Sequence, residues 1–261
     1  MSLFKPIDAH VHLDDSRTGS ARSAVDALLA SMDMAKVERS VILHLRGQRW
    51  SAEECGRAIA AHPRRLLGLV NLHPKERNAP RRLRECVLKL GFSGLKLHPR
   101  LDRYPVDHPS VFRLVRAAGA LDVPVIVDAF PDGDWLMQGF DPLAFARLAA
   151  ACPKTRIVAA HMGGHHVLDF LMLAKRLPNL YFDTSYSLLY YRSSSVPKDI
   201  AYAVKSLHCE RVFYGSDYPD RPIKDALKQS LSLLKTEGLD TQQLRRIFRT
   251  NAEGFFPWKD R

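Results

Sequence analysis

Short apolar runs rich in Val, Ile and Leu recur along the chain. Each ends in a polar or ionisable residue, and a stretch with apolar residues three and four apart follows. Eight such runs are legible: residues 5–12, 39–45, 66–73, 93–98, 124–129, 156–161, 180–185 and 212–217. Near-continuous β-branched content is the pattern of strands covered on both faces. Strands that alternate with helices make βαβ units and a parallel sheet. Eight of them predict an α/β fold, a (β/α)₈ barrel.

The intervening helices carry their own start signals. Ser20 or Ser23 caps a helix reaching Ala35, with Val25, Leu28, Leu29 and Met32 on one face. Asp141-Pro142 opens another, which Pro153 stops, with Leu143, Phe145, Leu148 and Ala149 toward the sheet. Arg221-Pro222 opens the helix after the eighth strand, and an extra C-terminal helix over residues 241–249 lies beyond the barrel proper. Residues 130–140 and 186–197 read as irregular loops. Both follow strands directly, which places them at the C-terminal mouth as lids or substrate loops. No linker interrupts the pattern, so residues 1–261 are expected to form one domain.

Composition narrows the class. The 261 residues suit a single barrel, and 46% apolar with 26% charged residues is ordinary for a globular protein. Cys55, Cys86, Cys152 and Cys209 form no C-x-x-C pair and read as reduced thiols of a cytoplasmic protein. The start, Met1 to Pro6, has no apolar leader, and no run is long enough to cross a membrane. Lys and Arg number 39 against 28 Asp and Glu, a formal charge of +11. The basic residues are scattered and not interleaved with aromatics, so the charge points to attraction of small anions rather than to nucleic acid. Nothing opposes self-association into a homo-oligomer.

The chemistry concentrates at strand ends. His10 and His12 lie two apart on the first strand and so share a face, where both imidazoles can grip one metal ion. His161 ends the sixth strand before Met162-Gly163-Gly164, whose small residues allow a tight turn. Asp217 ends the eighth. Lys96 and His98 share a face of the fourth strand, with Arg100 just beyond. Lys96 is read foremost as the cation for a substrate carboxylate, with a carboxylated metal bridge or a buried ion pair as alternatives. Arg100 can assist by bidentate geometry. His44, Arg46 and His73 add a cationic rim. Asp183 is placed to orient a ligand histidine, and His165 and His166 to start a helix.

Taken together, Asp8-x-His10-x-His12, Gly94-Leu95-Lys96-Leu97-His98-Pro99, Ala160-His161-Met162-Gly163-Gly164 and Tyr214-Gly215-Ser216-Asp217-Tyr218-Pro219 resemble the amidohydrolase superfamily. The likeness is to its amidohydrolase-related branch of metal-dependent hydrolases and decarboxylases. The resemblance implies metal ligands at His10 and His12, and a metal- or water-binding proton acceptor at Asp217. It also implies that His161 completes the metal shell or polarises the substrate carbonyl. Members usually carry a histidine at the end of the fifth strand, where this chain has Asp128. Asp128 is therefore either a further ligand, favouring harder metals, or the mark of a weak metal site.

The reading is an enzyme that hydrolyses a small, carboxylated amide, lactone or ester-like substrate with a water activated by one divalent ion, Zn²⁺ or alternatively Mn²⁺. A decarboxylase on the same scaffold, a metal-free lactonase-like site and a binding protein without metal are the alternatives.

Overall fold

The structure is a computed structural model and describes residues 4–258. Met1, Ser2 and Leu3 of the segment read as leaderless, and residues 259–261 of the expected domain, lie outside it. Eight strands form one sheet in sequence order: β1 Ile7–Val11, β2 Arg39–Leu43, β3 Leu66–Asn71, β4 Gly94–Leu97, β5 Val125–Val127, β6 Ile157–Ala159, β7 Leu180–Asp183 and β8 Val212–Phe213. Every neighbouring pair is parallel. With helices surrounding it, this is the α/β barrel that the apolar runs predict.

The barrel closes in an unusual place. The amide of Ala9 donates to the Tyr214 carbonyl at 2.9 Å, Asp217 N–H to the His10 carbonyl at 3.0 Å, and His12 N–H to the Tyr218 carbonyl at 2.6 Å. β8 contributes only two residues, so the seam with β1 is made largely by the segment that follows it.

Alternation sorts the strand residues. Ile7, Ala9, Val41, Leu43, Leu67, Leu69, Ile126, Val158, Ala160 and Phe213 pack together inside the barrel with Phe255 and Phe256. Val70, Leu95, Leu97, Val125, Val127, Ile157, Leu180, Phe182 and Val212 face the helices. Inward positions in the lower half are thus apolar, while Asn71, Lys96, Asp128 and Asp183 continue the same faces upward as buried polar groups. The register of β1 shifts between Asp8 and Val11, so Ala9 sits with the inner set and Val11 with the outer. Simple alternation therefore fails across that bulge.

The helix starts follow the sequence signals. Ser20 caps the helix Ala21–Ala35 in a capping box with Ser23. Asp141 accepts from Leu143 N–H at the head of the helix Pro142–Ala151. Leu143, expected to face the sheet, is instead solvent-exposed, because it lies on the first turn beside the cap. Residues 130–140 and 186–197 are less irregular than expected, since they contain the short helices Gly133–Met137 and Ser187–Tyr190. The C-terminal helix also runs further than 249, through a π-type segment Arg246–Thr250 into Asn251–Phe255.

Candidate active site

The ionisable residues expected at strand ends lie just past them. His12 follows β1, His98 follows β4, Asp128 follows β5, His161 follows β6 and Asp217 lies four residues beyond β8. Two of these positions leave extended geometry altogether: His161 and Asp217 have φ of 62° and 60°, a left-handed conformation that non-glycine residues adopt only where surrounding structure holds it. At the His161 turn, Gly163 (φ 72°) leaves no room for a side chain, because a Cβ there would come within 2.1 Å of the Phe170 ring. The result is that His10, His12, Lys96, His98, Arg100, Asp128, His161 and Asp217 all line one cavity of about 290 Å³ at the mouth.

Three ligand atoms converge within it. His10 Nε2 and His12 Nε2 lie 3.3 and 3.4 Å from the same oxygen, Asp217 Oδ1. Their other nitrogens are engaged: His10 Nδ1 donates to Asp183 Oδ2 at 3.0 Å, and His12 Nδ1 to the Leu43 carbonyl at 2.7 Å. Those bonds fix the tautomers and leave the Nε2 lone pairs facing the carboxylate. Burial drives the His10 pKa down to about 4 despite the pull of Asp183, so its ring is neutral near pH 7. Burial works to raise the Asp217 pKa, but His10, His12 and His161 outweigh it and hold the group ionised. An imidazole lone pair beside a carboxylate oxygen is repulsive unless a cation lies between them. His10 Nε2 is also buried with no hydrogen-bond partner among the described residues. This donor set fits a divalent ion of the kind bound by mixed nitrogen and oxygen ligands. Among the described residues His10, His12 and Asp217 are one of two groupings within metal-binding reach; the other joins His10 to His161 and Asp183.

Asp183 organises this side of the cavity. Beyond His10, its Oδ1 accepts from the amides of His161 and Ser185, both at 3.1 Å, and from the Ser185 hydroxyl. Ser185 in turn lies 3.0 Å from His10 Nδ1 and 2.9 Å from His161 Nδ1. Its place two residues past Asp183 on an inward face was the signal for it. Asp8 points away from the cavity, across the β1 bulge, and accepts from Ser216 N–H at 2.9 Å, tying down the segment that carries Asp217.

Asp128 takes a different position from His10, His12 and Asp217. Its Oδ1 faces His161 Nε2 at 3.2 Å, and its Oδ2 accepts from Arg100 Nε at 3.3 Å and lies 3.6 Å from His98 Nδ1. Burial opposes its charge, and His98, His161 and Arg100 together hold its pKa well below the ordinary value. For His161 the balance runs the other way: burial lowers its pKa, but Asp128, Asp217 and Asp183 raise it above the usual histidine value. Arg100 also donates to Asp132 Oδ2 at 2.7 Å, so two carboxylates already occupy it. Lys96 differs. It is almost fully buried, and its ammonium makes no hydrogen bond or ion pair among the described residues. Burial depresses its pKa, against the pull of Asp128, Asp183 and Asp217.

The expected cationic rim is not built. His44 is buried against β3, where its Nδ1 accepts from Asn71 N–H. Arg46 pairs with Glu76 at 2.7 Å, and His73 lies 3.3 Å from the Asp102 carbonyl. None of the three lines the cavity. His165 and His166 end the turn ahead of the helix Val167–Ala174, as expected. Sequence reasoning missed the aromatic cluster beside His161. Phe130 meets its ring edge-on at 6.0 Å, and Tyr186 and Tyr190 pack on Phe130.

This arrangement belongs to a known group: the chain is a member of the amidohydrolase family, whose model matches residues 7–258. No curated protein matches the sequence. Among solved structures, an uncharacterised TIM-barrel protein from Bordetella bronchiseptica is 19% identical with a TM-score of 0.81, covering 97% of this chain and 98% of that one. A probable 2-pyrone-4,6-dicarboxylic acid hydrolase from Acinetobacter baumannii, with citric acid bound, is 18% identical with a TM-score of 0.67, covering 97% and 99%. A 5-carboxyvanillate decarboxylase from Novosphingobium aromaticivorans, complexed with manganese and 4-hydroxy-3-methoxy-5-nitrobenzoic acid, is 15% identical with a TM-score of 0.65, covering 97% and 96%. At these identities the likeness establishes the shared barrel.

Proposed function

We propose that the protein is a metal-dependent hydrolase of a small carboxylated molecule, cleaving an amide, lactone or ester-like bond. The observation that carries this reading is the aim of the His10 and His12 Nε2 lone pairs at one oxygen of Asp217. These three residues would hold the ion, and Asp128 would serve as counter-ion to His161 and Arg100 or as a further ligand on rotation. A bound divalent ion supplies Lewis acidity and lowers the pKa of water at the site. Zinc and manganese both suit two imidazoles and a carboxylate, and the manganese in the N. aromaticivorans decarboxylase supports the harder metal.

The remaining steps belong to the chain. Asp217 takes the proton from the attacking water and returns it to the leaving group. His161, charged and pinned by Asp128, polarises the substrate carbonyl. Lys96 holds a carboxylate, a role supported by its unpaired ammonium at the cavity wall and by the acids bound in the A. baumannii and N. aromaticivorans proteins. The four buried free cysteines support a reducing, cytoplasmic setting.

Decarboxylation is the second reading, favoured by the relative that bears that activity. There His161, the charged group beside the ionised Asp217, would deliver the proton to carbon as CO₂ leaves. One assay separates the two: lactones, amides and aromatic acids are incubated with the manganese- or zinc-loaded protein. Bond cleavage without CO₂ is expected, whereas CO₂ release moves the assignment to the lyase. Asp217→Asn is expected to lower turnover at least about 100-fold in either case. Turnover that survives complete chelation removes the metal from the reading.

A further inference from the structure

Two carboxylates that line the mouth cavity have no part in the chemistry described so far. Asp15 lies three residues past His12 on the loop after β1, and Asp220 three residues past Asp217 on the loop after β8. β1 and β8 adjoin at the seam, so both acids stand on that side of the cavity. Lys96 comes from β4, across the cylinder from β8. Leu13 and Pro219 add apolar surface to the acidic side.

Neither acid is committed to holding the fold. Asp15 is half-buried, and its carboxylate accepts only from the Arg49 backbone N–H at 3.2 Å. The Arg49 guanidinium turns instead to the Asp15 main-chain carbonyl at 3.5 Å. Asp220 accepts no side-chain hydrogen bond among the described residues. Its ion pair is a 3.5 Å approach to Arg221 beside it, and its side chain keeps 47% of its surface exposed. The opposite wall is equally unsatisfied. Lys96 is 1% exposed and its ammonium has no partner among the described residues, while Arg100 is already taken by Asp128 and Asp132. The cavity is therefore charged at both ends, positive at β4 and negative at the seam. A dianion that satisfied Lys96 would press its second carboxylate toward Asp15 and Asp220, where like charge repels it. A molecule with a carboxylate at one end and a protonated amine at the other meets opposite charge at both.

We infer that the substrate is a zwitterion, with Asp15 and Asp220 receiving a protonated amine at the end remote from Lys96. The inference rests on the proposed action on a carboxylated molecule and adds the charge of that molecule's other end. The two acids then act as specificity-determining residues, drawing in amino acids and their derivatives and turning dicarboxylates away.

Isothermal titration of the full-length, manganese-loaded protein tests this with probes built on one rigid frame: 4-(aminomethyl)benzoate, 4-methylbenzoate and terephthalate. The aminomethyl acid is expected to bind about fivefold tighter than 4-methylbenzoate, the scale of a partly exposed ion pair. Terephthalate is expected to bind more weakly than either. Combining Asp15→Asn with Asp220→Asn keeps the shape of both side chains and an acceptor for Arg49 N–H. In that double variant the advantage of the amine is expected to disappear, while 4-methylbenzoate binds at least as well as to wild type. A wild type that binds the aminomethyl acid no tighter than 4-methylbenzoate, or that prefers terephthalate, overturns the inference. So does an advantage that survives in the double variant, or loss of manganese uptake by it, which assigns the acids to the ion. Failure of the underlying reading looks different: 4-methylbenzoate then binds Lys96→Met as tightly as wild type, whatever the amine contributes. A protein that binds none of the probes overturns both.

Discussion

Asp183 shows how much one side chain can organise. It has no access to solvent, yet it orients His10 through its ring N–H, His161 through its backbone and Ser185 through both. A carboxylate behind a ligand histidine fixes the ring and raises its basicity, and losing such a partner lowers metal affinity about 10–100-fold. Asp183→Asn keeps the shape and removes the charge. It is expected to weaken manganese binding within that range by isothermal titration, and an unchanged affinity would show that His10 needs no such support. Gly215 matters by what it lacks: a Cβ there would approach His10 Cβ to 2.6 Å and Ser185 Cβ to 2.9 Å. The glycine before Asp217 is therefore a clearance for the histidine, a reason not visible in the motif that contains it.

At the scale of elements, Asp132 links the helix in the loop after β5 to the site. Asp132 caps the helix Gly133–Met137 through Trp135 N–H at 2.9 Å and takes Arg100 with its other oxygen. Asp132→Ala is expected to cost about 1 kcal/mol and to speed hydrogen exchange across residues 133–140, with manganese uptake unchanged. A loss of metal binding would show that Arg100 and Asp128 transmit the change to His161. This helix also marks where reading the sequence stops working. The eight apolar runs locate all eight strands, because both faces of each are covered. Their ends were overextended, since the backbone turns at His161 and Asp217 through conformations that residue identity does not announce. The short helices in the mouth loops escaped because five residues or fewer have no room for an apolar period. Eight residues lining the cavity are nonetheless legible, as ionisable side chains at or near the ends of apolar runs, whereas Asp15 and Asp220, which line it too, are not. The supposed rim of His44, Arg46 and His73 shows the opposite error: a strand-end position says nothing of which way a residue past the strand turns.

Across the whole molecule, the C-terminal helical segment docks onto the residues around β1 and β2 at the foot of the barrel. Arg249 donates to the Lys5 carbonyl at 2.7 Å, to Glu38 Oε2 at 2.6 Å and to Glu253 at 2.9 Å. Burial opposes ionisation of Glu38, but Arg249 outweighs it and the pKa falls below its ordinary 4.5. A carboxyl depressed on folding stabilises above its unfolded pKa and loses that contribution as the pH falls through the folded value. Glu38→Gln is therefore expected to cost about 1 kcal/mol at pH 7, the scale of a partly exposed pair. The difference should disappear near pH 3, as thermal melts at both pH values will show. An equal deficit at both would mean packing rather than charge is what the variant loses. The opposite end of the barrel has a tighter dependence. The same few residues that zip the last strand onto the first also carry the proposed ligands, with Asp217 N–H on the His10 carbonyl and His12 N–H on the Tyr218 carbonyl. An ion gripping those side chains would clamp the cylinder at its weakest stave, and chelation should loosen it there before anywhere else. Amide exchange at His12 and Asp217 would then accelerate while that of Leu97 and Val127, on β4 and β5 midway around the wall, stays slow.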